Sequence, residues 1–331
     1  MIINNILRLP SAYYSLYRDV KRQRRFVGKV IEGDIQDAMQ DNDGTLDEED
    51  FEKIRNYYGF GVPAIVGEGI CTLRGTPMNE RERRASSYQG ALTGLYDDFF
   101  DKTHLTEDEI RAMMDDPARY KASSSLESLF IQCLQEVHKN LYDKALFNVY
   151  FDRVFSAQIE SKKQANEGLS HATIKKITFL KGGNSVLFYR SIFEHSLQEG
   201  EEEALFHIGA LMQVGNDIFD VYKDEKAGIR TLPTSCAQID DVRIIFTTQL
   251  NKSIGLIRNT GYRQQDISRF INKLVLGISR CFVCMDQLES LQQKTGGRFL
   301  PSEYSRKELI CDMEKPGNII RALRYFLKYR Y

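Results

Sequence analysis

Carboxylates and one amide recur at one-turn spacing in a stretch that otherwise reads as buried. In the run from Gly209 to Glu225, Asn216, Asp220 and Asp224 stand four residues apart, with Asp217 beside them. On a helix such residues lie nearly above one another on one face. A carboxylate on a core helix is costly unless a cation or a donor satisfies it. Three or four hard oxygen donors converging on one spot suit a divalent cation such as Mg2+. A second cluster, Asp97-Asp98-Phe99-Phe100-Asp101, repeats the pattern upstream. Asp97 and Asp101 share a face one turn apart, and Asp98 flanks them.

The elements that must position these groups read as helices throughout. Small residues at 86, 87, 90, 91 and 94 precede the first cluster, and Gly209, Ala210 and Gly215 precede or flank the second. Such stripes let a second helix or a ligand approach closely. Residues 1–32 read as an amphipathic helix pair or one helix broken at Pro10, carrying the basic run Lys21-Arg22-Gln23-Arg24-Arg25. That run reads as a solvated face before it reads as a membrane or phosphate contact. Asp41-Asn42-Asp43-Gly44 with Asp50 is not a calcium loop. With Gly44 sixth, the first position is Met39 and the closing residue is Asp rather than Glu. A helix–turn–helix with Asp47 near an N-cap is the plainer expectation.

Thr106 followed by Glu107-Asp108-Glu109 starts another helix. Leu126, Leu129, Phe130, Cys133, Leu134 and Val137 keep helical spacing inside a helical region over 123–165. A helix from Ser170 runs into Lys181-Gly182-Gly183, which is too short for a phosphate loop and is expected to break or thin the helix. Gly228-x-x-Thr231-Leu232-Pro233 ends the region, and helices follow over 240–260, 264–295 and 318–331.

Composition sets the outer limits. The chain has 331 residues, 42% hydrophobic and 27% charged, with net charge -1 and only seven prolines. The near-zero net charge gives no global field favouring nucleic acid, and few breakers favour long helices. No window approaches a membrane-spanning length, so a cytoplasmic protein is expected. Six scattered cysteines do not form a disulfide scaffold. The lone Cys281-x-x-Cys284 reads as buried helical thiols. His104 and His207 have neither triad nor zinc spacing. The expectation is all-α: a single domain over 1–331 of about ten helices, those of 1–56 peripheral.

Two acidic clusters at the ends of neighbouring bundle helices would meet at one mouth of a cavity. Mg2+ would remove their mutual repulsion and present positive charge to a diphosphate. Tyr88, Leu92, Leu95, Phe99, Phe179, Phe188, Phe206, Met212 and Phe219 are candidate lining for an apolar chain beneath.

In these features the chain resembles the class I isoprenoid synthases, which include trans-prenyl diphosphate synthases and terpene cyclases. Asp97-Asp98-x-x-Asp101 is similar to their first aspartate-rich motif, DDxxD. Gln213-x-x-Asn216-Asp217-x-x-Asp220-x-x-x-Asp224, with Thr231-Leu232-Pro233 after it, resembles the second region of the prenyl synthases. The same residues resemble a variant of the cyclase motif, with Asp220 where Ser or Thr is usual and Asp224 in place of Glu. Lys181 resembles the lysine that contacts diphosphate in prenyl synthases. The resemblance covers residues 57–233.

What the resemblance implies is a class I terpenoid synthase bundle around a deep apolar cavity. Three Mg2+ ions would be held by Asp97, Asp98, Asp101, Asn216, Asp217, Asp220 and Asp224. Asp97, Asp98, Asn216 and Asp220 would carry catalysis, and Lys181, Lys223 and the pair Arg324-Tyr325 would contact the substrate diphosphate. Ionising an allylic diphosphate requires charge neutralisation on the leaving group and exclusion of water from the cation. Elongating enzymes carry Gly-Gly-Lys-Arg before the first motif and Arg-Arg-Gly after it. Here Arg74-Gly75, Arg81, Arg83 and Arg84 precede the motif and Lys102-Thr103-His104 follows it. That favours a one-substrate terpene synthase acting on geranyl, farnesyl or geranylgeranyl diphosphate. A trans-prenyltransferase, either elongating or head-to-head like squalene and phytoene synthases, stays open as the alternative. Homodimerisation, common in this fold, is carried over by the resemblance alone.

Overall fold

The computed structural model describes residues 2–101, 105–166 and 168–329, with side chains for all of these except 2–4, 97, 98, 100 and 101. Among the described residues 78% are helical and none lies in a strand. No helix among them is long and apolar enough to cross a membrane. Contacts gather the chain into two compact units. One holds Met1–Tyr13, Asn148–Phe188 and Ser196–Tyr331, and the other Tyr14–Phe147 and Tyr189–His195. No composition shift or linker marks this division in the sequence.

In the unit built on Tyr14–Phe147, the central helix is Glu80–Asp101. Its small residues are filled by protein. A side-chain carbon on Gly90 would lie 2.3 Å from the carbonyl oxygen of Tyr58, and one on Gly94 would meet the Tyr58 ring at 2.7 Å. Residues 53–67 occupy that face, wound through two wide π-helical turns, Lys53–Tyr58 and Val62–Gly67. The close approach leaves polar groups to satisfy, and Gln23 does so. Its amide donates to the Gly59 carbonyl at 3.1 Å and to Ser87 Oγ at 2.7 Å. Against the same helix packs Ser125–Asn140, where Phe99 meets Phe130 with ring centroids 4.7 Å apart.

Local signals behave as their chemistry dictates. Asp47 and Thr106 both form capping boxes, with Asp50 and Glu109 as reciprocal partners. The acidic turn before Asp47 is taken up by backbone donors: Asn42 Oδ1 accepts from Gly44 N–H, and Asp43 accepts from the N–H groups of Thr45 and of Ser125 at the start of another helix. The Thr45 hydroxyl, which donates to Asp43 Oδ1 at 2.6 Å, and then these N–H groups hold the Asp43 carboxyl down at about 2. The expectation of a break at Pro10 does not hold. Ile2–Phe26 runs as one helix through it. Pro10 is exposed, so water can take the Ile6 carbonyl that loses its donor.

In the other unit, Glu201–Phe219, Ile239–Arg258, Gln264–Lys294 and Pro316–Lys328 pack on one another. Their apolar faces recur with helical period, as Leu205, Ile208, Leu211, Val214 and Ile218 do on the first. The helix His171–Arg190 continues straight through Lys181-Gly182-Gly183 rather than breaking there. The two glycines serve an approach instead. A side-chain carbon on Gly182 would lie 2.3 Å from the Gly209 carbonyl oxygen, and one on Gly209 2.2 Å from that of Gly182. Gly183 likewise makes room for the Phe206 ring. The six cysteines are all buried and free. Burial pushes the Cys281 thiol up to about 12, so the Cys-x-x-Cys pair is core material here.

Overpacking this crossing should cost about 1–3 kcal/mol. Gly209→Val is therefore expected to lower the denaturant midpoint, whereas Gly255→Ala, on an exposed helix face with nothing within 4 Å of the new carbon, should raise stability by about 0.5–1 kcal/mol. Urea melts of the two variants test this; equal effects would contradict the crossing.

Candidate functional site

The second acidic motif sits where the buried helix Glu201–Phe219 turns into the short helix Val221–Lys226. Asp220, at the junction (φ -92°, ψ 10°), leaves ideal helical geometry. The hydrogen-bond ladder nevertheless persists across it. Asp220 N–H donates to the Asn216 carbonyl and Asp224 N–H to the Asp220 carbonyl, each at 2.9 Å. Asn216, Asp220 and Asp224 therefore remain stacked one turn apart. The Asn216 amide donates to Asp220 Oδ2 at 2.9 Å. Burial deepens along the stack: Asn216 is exposed, Asp220 half-buried and Asp224 buried.

Below the stack, Gly228 adopts φ +67°, a left-handed position that suits glycine, and Ile229 N–H closes on the Asp224 carbonyl at 2.8 Å. Thr231 then caps Leu232–Ser235 with Pro233 in its first turn. This is what the Gly-x-x-Thr-Leu-Pro ending does physically: it stops one helix and starts the next against Asp224, to which Thr231 hydrogen-bonds.

Asp217 faces a different neighbour. It is 4% exposed and accepts from Gln213 Nε2 at 2.9 Å and Thr178 Oγ1 at 3.2 Å. Thr178 and Lys181 lie one turn apart on His171–Arg190, which runs antiparallel to Glu201–Phe219 past the Gly182–Gly209 contact. Burial pushes the Asp217 carboxyl up to about 6, while Gln213, Lys181 and Thr178 pull against it. Asp224 is pushed further, to about 7, by burial and then by Asp217 and Asp220.

Lys181 is half-buried beside Asp217. Lys223 is exposed on the turn between Asp220 and Asp224. Arg324 is exposed, and the Tyr325 hydroxyl donates to Asp286 Oδ1 at 2.7 Å while its ring stacks on Phe282 at 5.0 Å. Arg243 and Arg321 also bind Asp286, so Tyr325 belongs to a network joining three helices. The side chains of Asp97, Asp98 and Asp101, and all of Lys102-Thr103-His104, lie outside the described residues. The first motif's backbone closes the helix Glu80–Asp101. Of the proposed lining, Tyr88 is in the core and donates to Asp34.

Sequence spacing missed Thr178, Arg280 and Arg306. Arg280 lies over the Phe219 ring at 5.3 Å and Arg306 over the Tyr222 ring at 5.9 Å, bringing two further cations to the acidic turn. All three come from elements remote in sequence and carry no local pattern of their own.

A hard cation fits this donor set on chemical grounds. The stack offers two carboxylates and an amide oxygen, all hard donors, and the carboxylates crowd Asp217 as well. Among the described residues no three His, Cys, Asp or Glu side chains are gathered tightly enough to hold an ion by themselves. Mg2+ commonly keeps several waters and takes substrate oxygens, so a sparse protein set suits it.

The raised carboxyls set a pH dependence. Unfolded, Asp217 and Asp224 titrate near 3.8; folded, near 6 and 7. The folded state therefore holds protons the unfolded chain has released, and stability falls as pH rises through this window. In EDTA, Asp224→Asn should melt a few degrees above the unaltered protein at about pH 8 and match it below about pH 4. Thermal melts by circular dichroism across that range test this; a pH-independent difference would remove Asp224 as its source. Comparison with known proteins adds no relative: no family model, no curated protein and no solved structure matches the chain.

Proposed function

We propose that this chain is a Mg2+-dependent class I terpene synthase. It would ionise an allylic prenyl diphosphate, release diphosphate and cyclise the carbocation or eliminate a proton from it. One observation carries the reading: Asn216, Asp220 and Asp224 remain stacked across the helix junction, with Asp224 buried at their base. Those three are the residues of the cyclase form of the second motif. Asp217, the residue that distinguishes the prenyl-synthase form, is occupied by Gln213 and Thr178.

On this reading Asn216, Asp220 and Asp224 hold metal at one motif, and Asp97, Asp98 and Asp101 at the other. Bound Mg2+ would supply the positive charge that stabilises diphosphate as a leaving group. The protein's own groups do the remaining work. Lys181, whose charge acts on Asp217, would offer its ammonium to a diphosphate oxygen. Lys223, on the exposed side of the same turn, offers a second cation. Arg280 is a further candidate, held by the face of Phe219. Apolar side chains would exclude water from the cation once it forms.

The test is direct. Purified protein with Mg2+ should convert geranyl, farnesyl or geranylgeranyl diphosphate to a hydrocarbon or alcohol without a second substrate. Asn216→Ala and Asp224→Ala should each lower turnover by about 10²-fold or more while helicity by circular dichroism is retained. Product formed only when isopentenyl diphosphate is added, as a longer diphosphate, would replace this reading with a prenyltransferase.

A further inference from the structure

The basic run near the N-terminus, whose plainest reading is a solvated helix face, lines a cleft. Arg18, Lys21, Arg22, Arg25, Phe26, Lys29, Val30, Glu80 and Arg83 line about 620 Å3 that is open to solvent. Every one of these residues belongs to the unit built on Tyr14–Phe147. Six cations stand there against one lining carboxylate. Part of that charge is already matched. Glu68 takes Arg83 and lies 3.5 Å from Arg22, and Asp19 lies 3.5 Å from Arg18.

Lys21, Arg25 and Lys29 form no ion pair among the described residues. They are four residues apart, so they project from successive turns on one side of the chain. Like charges at that spacing repel one another and destabilise a helix. A solvated run can tolerate this by splaying its side chains into water. Here Lys21, Arg25 and Lys29 are exposed as well, but they stand around a concavity. Phe26 and Val30 give it an apolar floor, and Arg83, only 5% exposed, closes its wall. Arg83 is itself fixed, because its guanidinium donates to Gln23 Oε1 at 2.9 Å as well as to Glu68. A preset guanidinium loses less freedom on binding than a free one.

We infer that this cleft is a binding site for a phosphate-bearing polyanion, with Lys21, Arg25 and Lys29 as its principal contacts. Their uncompensated charge, together with lysine and arginine donors of the kind that recognise phosphate oxygens, selects a di- or polyphosphate group or a phosphomonoester headgroup. The apolar floor would take the carbon chain or ring next to that group. Binding here needs no divalent metal, which separates it from the acidic motif and makes it independent of the proposed reaction.

The experiment uses the full chain in EDTA, so that metal-borne diphosphate cannot bind at the carboxylates. Inorganic diphosphate is titrated calorimetrically against the unaltered protein and against Lys21→Gln/Arg25→Gln/Lys29→Gln. Both proteins are also floated with phosphatidylcholine vesicles with and without phosphatidic acid. Neutral glutamines relieve the repulsion, so the variant should fold, and circular dichroism checks that. The expected result is binding that weakens about tenfold or more in the variant and weakens with added salt. Capture of free diphosphate points to a soluble ligand, and capture only of vesicles with phosphatidic acid points to a lipid headgroup; each supports the site. No binding of either probe, or equal binding by both proteins, overturns it. Lys29→Glu alone gives a second check, since reversing one charge at the cleft should weaken the same binding.

Discussion

Gly182 and Gly209 meet so closely that a methyl group on either would strike the other's carbonyl oxygen at 2.2–2.3 Å. That single crossing determines the acidic turn's surroundings. It brings two helices to backbone distance in antiparallel register. Thr178 on one then hydrogen-bonds Asp217 on the other, and the charge of Lys181 acts on the same carboxyl. A bulkier pair would separate the helices and leave Asp217 without Thr178. A buried carboxyl with fewer donors is harder still to ionise, so the polar contact depends on the apolar one.

The same crossing divides the labour within the motif. Four acid or amide groups fall within nine residues, yet they do not act alike. Asp217 points into the crossing and is taken up by donors there. Asn216, Asp220 and Asp224 keep an unbroken backbone ladder across the junction at Asp220, and Asp220 and Asp224 lie near enough to Asp217 for the three carboxylates to repel one another. The sequence offers both the 216–217–220 and the 216–220–224 readings with equal force, because spacing alone places all four on neighbouring faces.

Legibility follows the range of the interaction. Helices over 239–258 and 264–294, and the caps at Asp47 and Thr106, were readable because their signals lie within a few residues of one another. Pro10 misled because its cost depends on whether solvent reaches the orphaned carbonyl, which is a matter of burial. Gly182-Gly183 thin the helix, as expected, but do not break it. Glycine weakens a helix locally, but a helix crossing repays it by close packing that no local window contains. The division into two compact units, the commitment of Tyr325 to Asp286, and the arrival of Arg280 and Arg306 beside the acidic turn all depend on pairings tens of residues apart.

Charge in this chain is close to balanced overall, and that balance conceals its distribution. Acid accumulates at the turn around Asp220, where burial and mutual repulsion hold Asp224 near neutrality. Base accumulates around Lys21, Arg25 and Lys29, where Asp19 and Glu68 pair with Arg18, Arg22 and Arg83 and only Glu80 joins the lining as an acid. Each place stores an electrostatic conflict that the folded protein does not resolve by itself. Folding tolerates such conflicts only where packing elsewhere outweighs them, and a ligand of opposite charge would relieve them. On the proposed readings a cation would answer one and a polyanion the other. Net charge, being the sum over both, carries no trace of either.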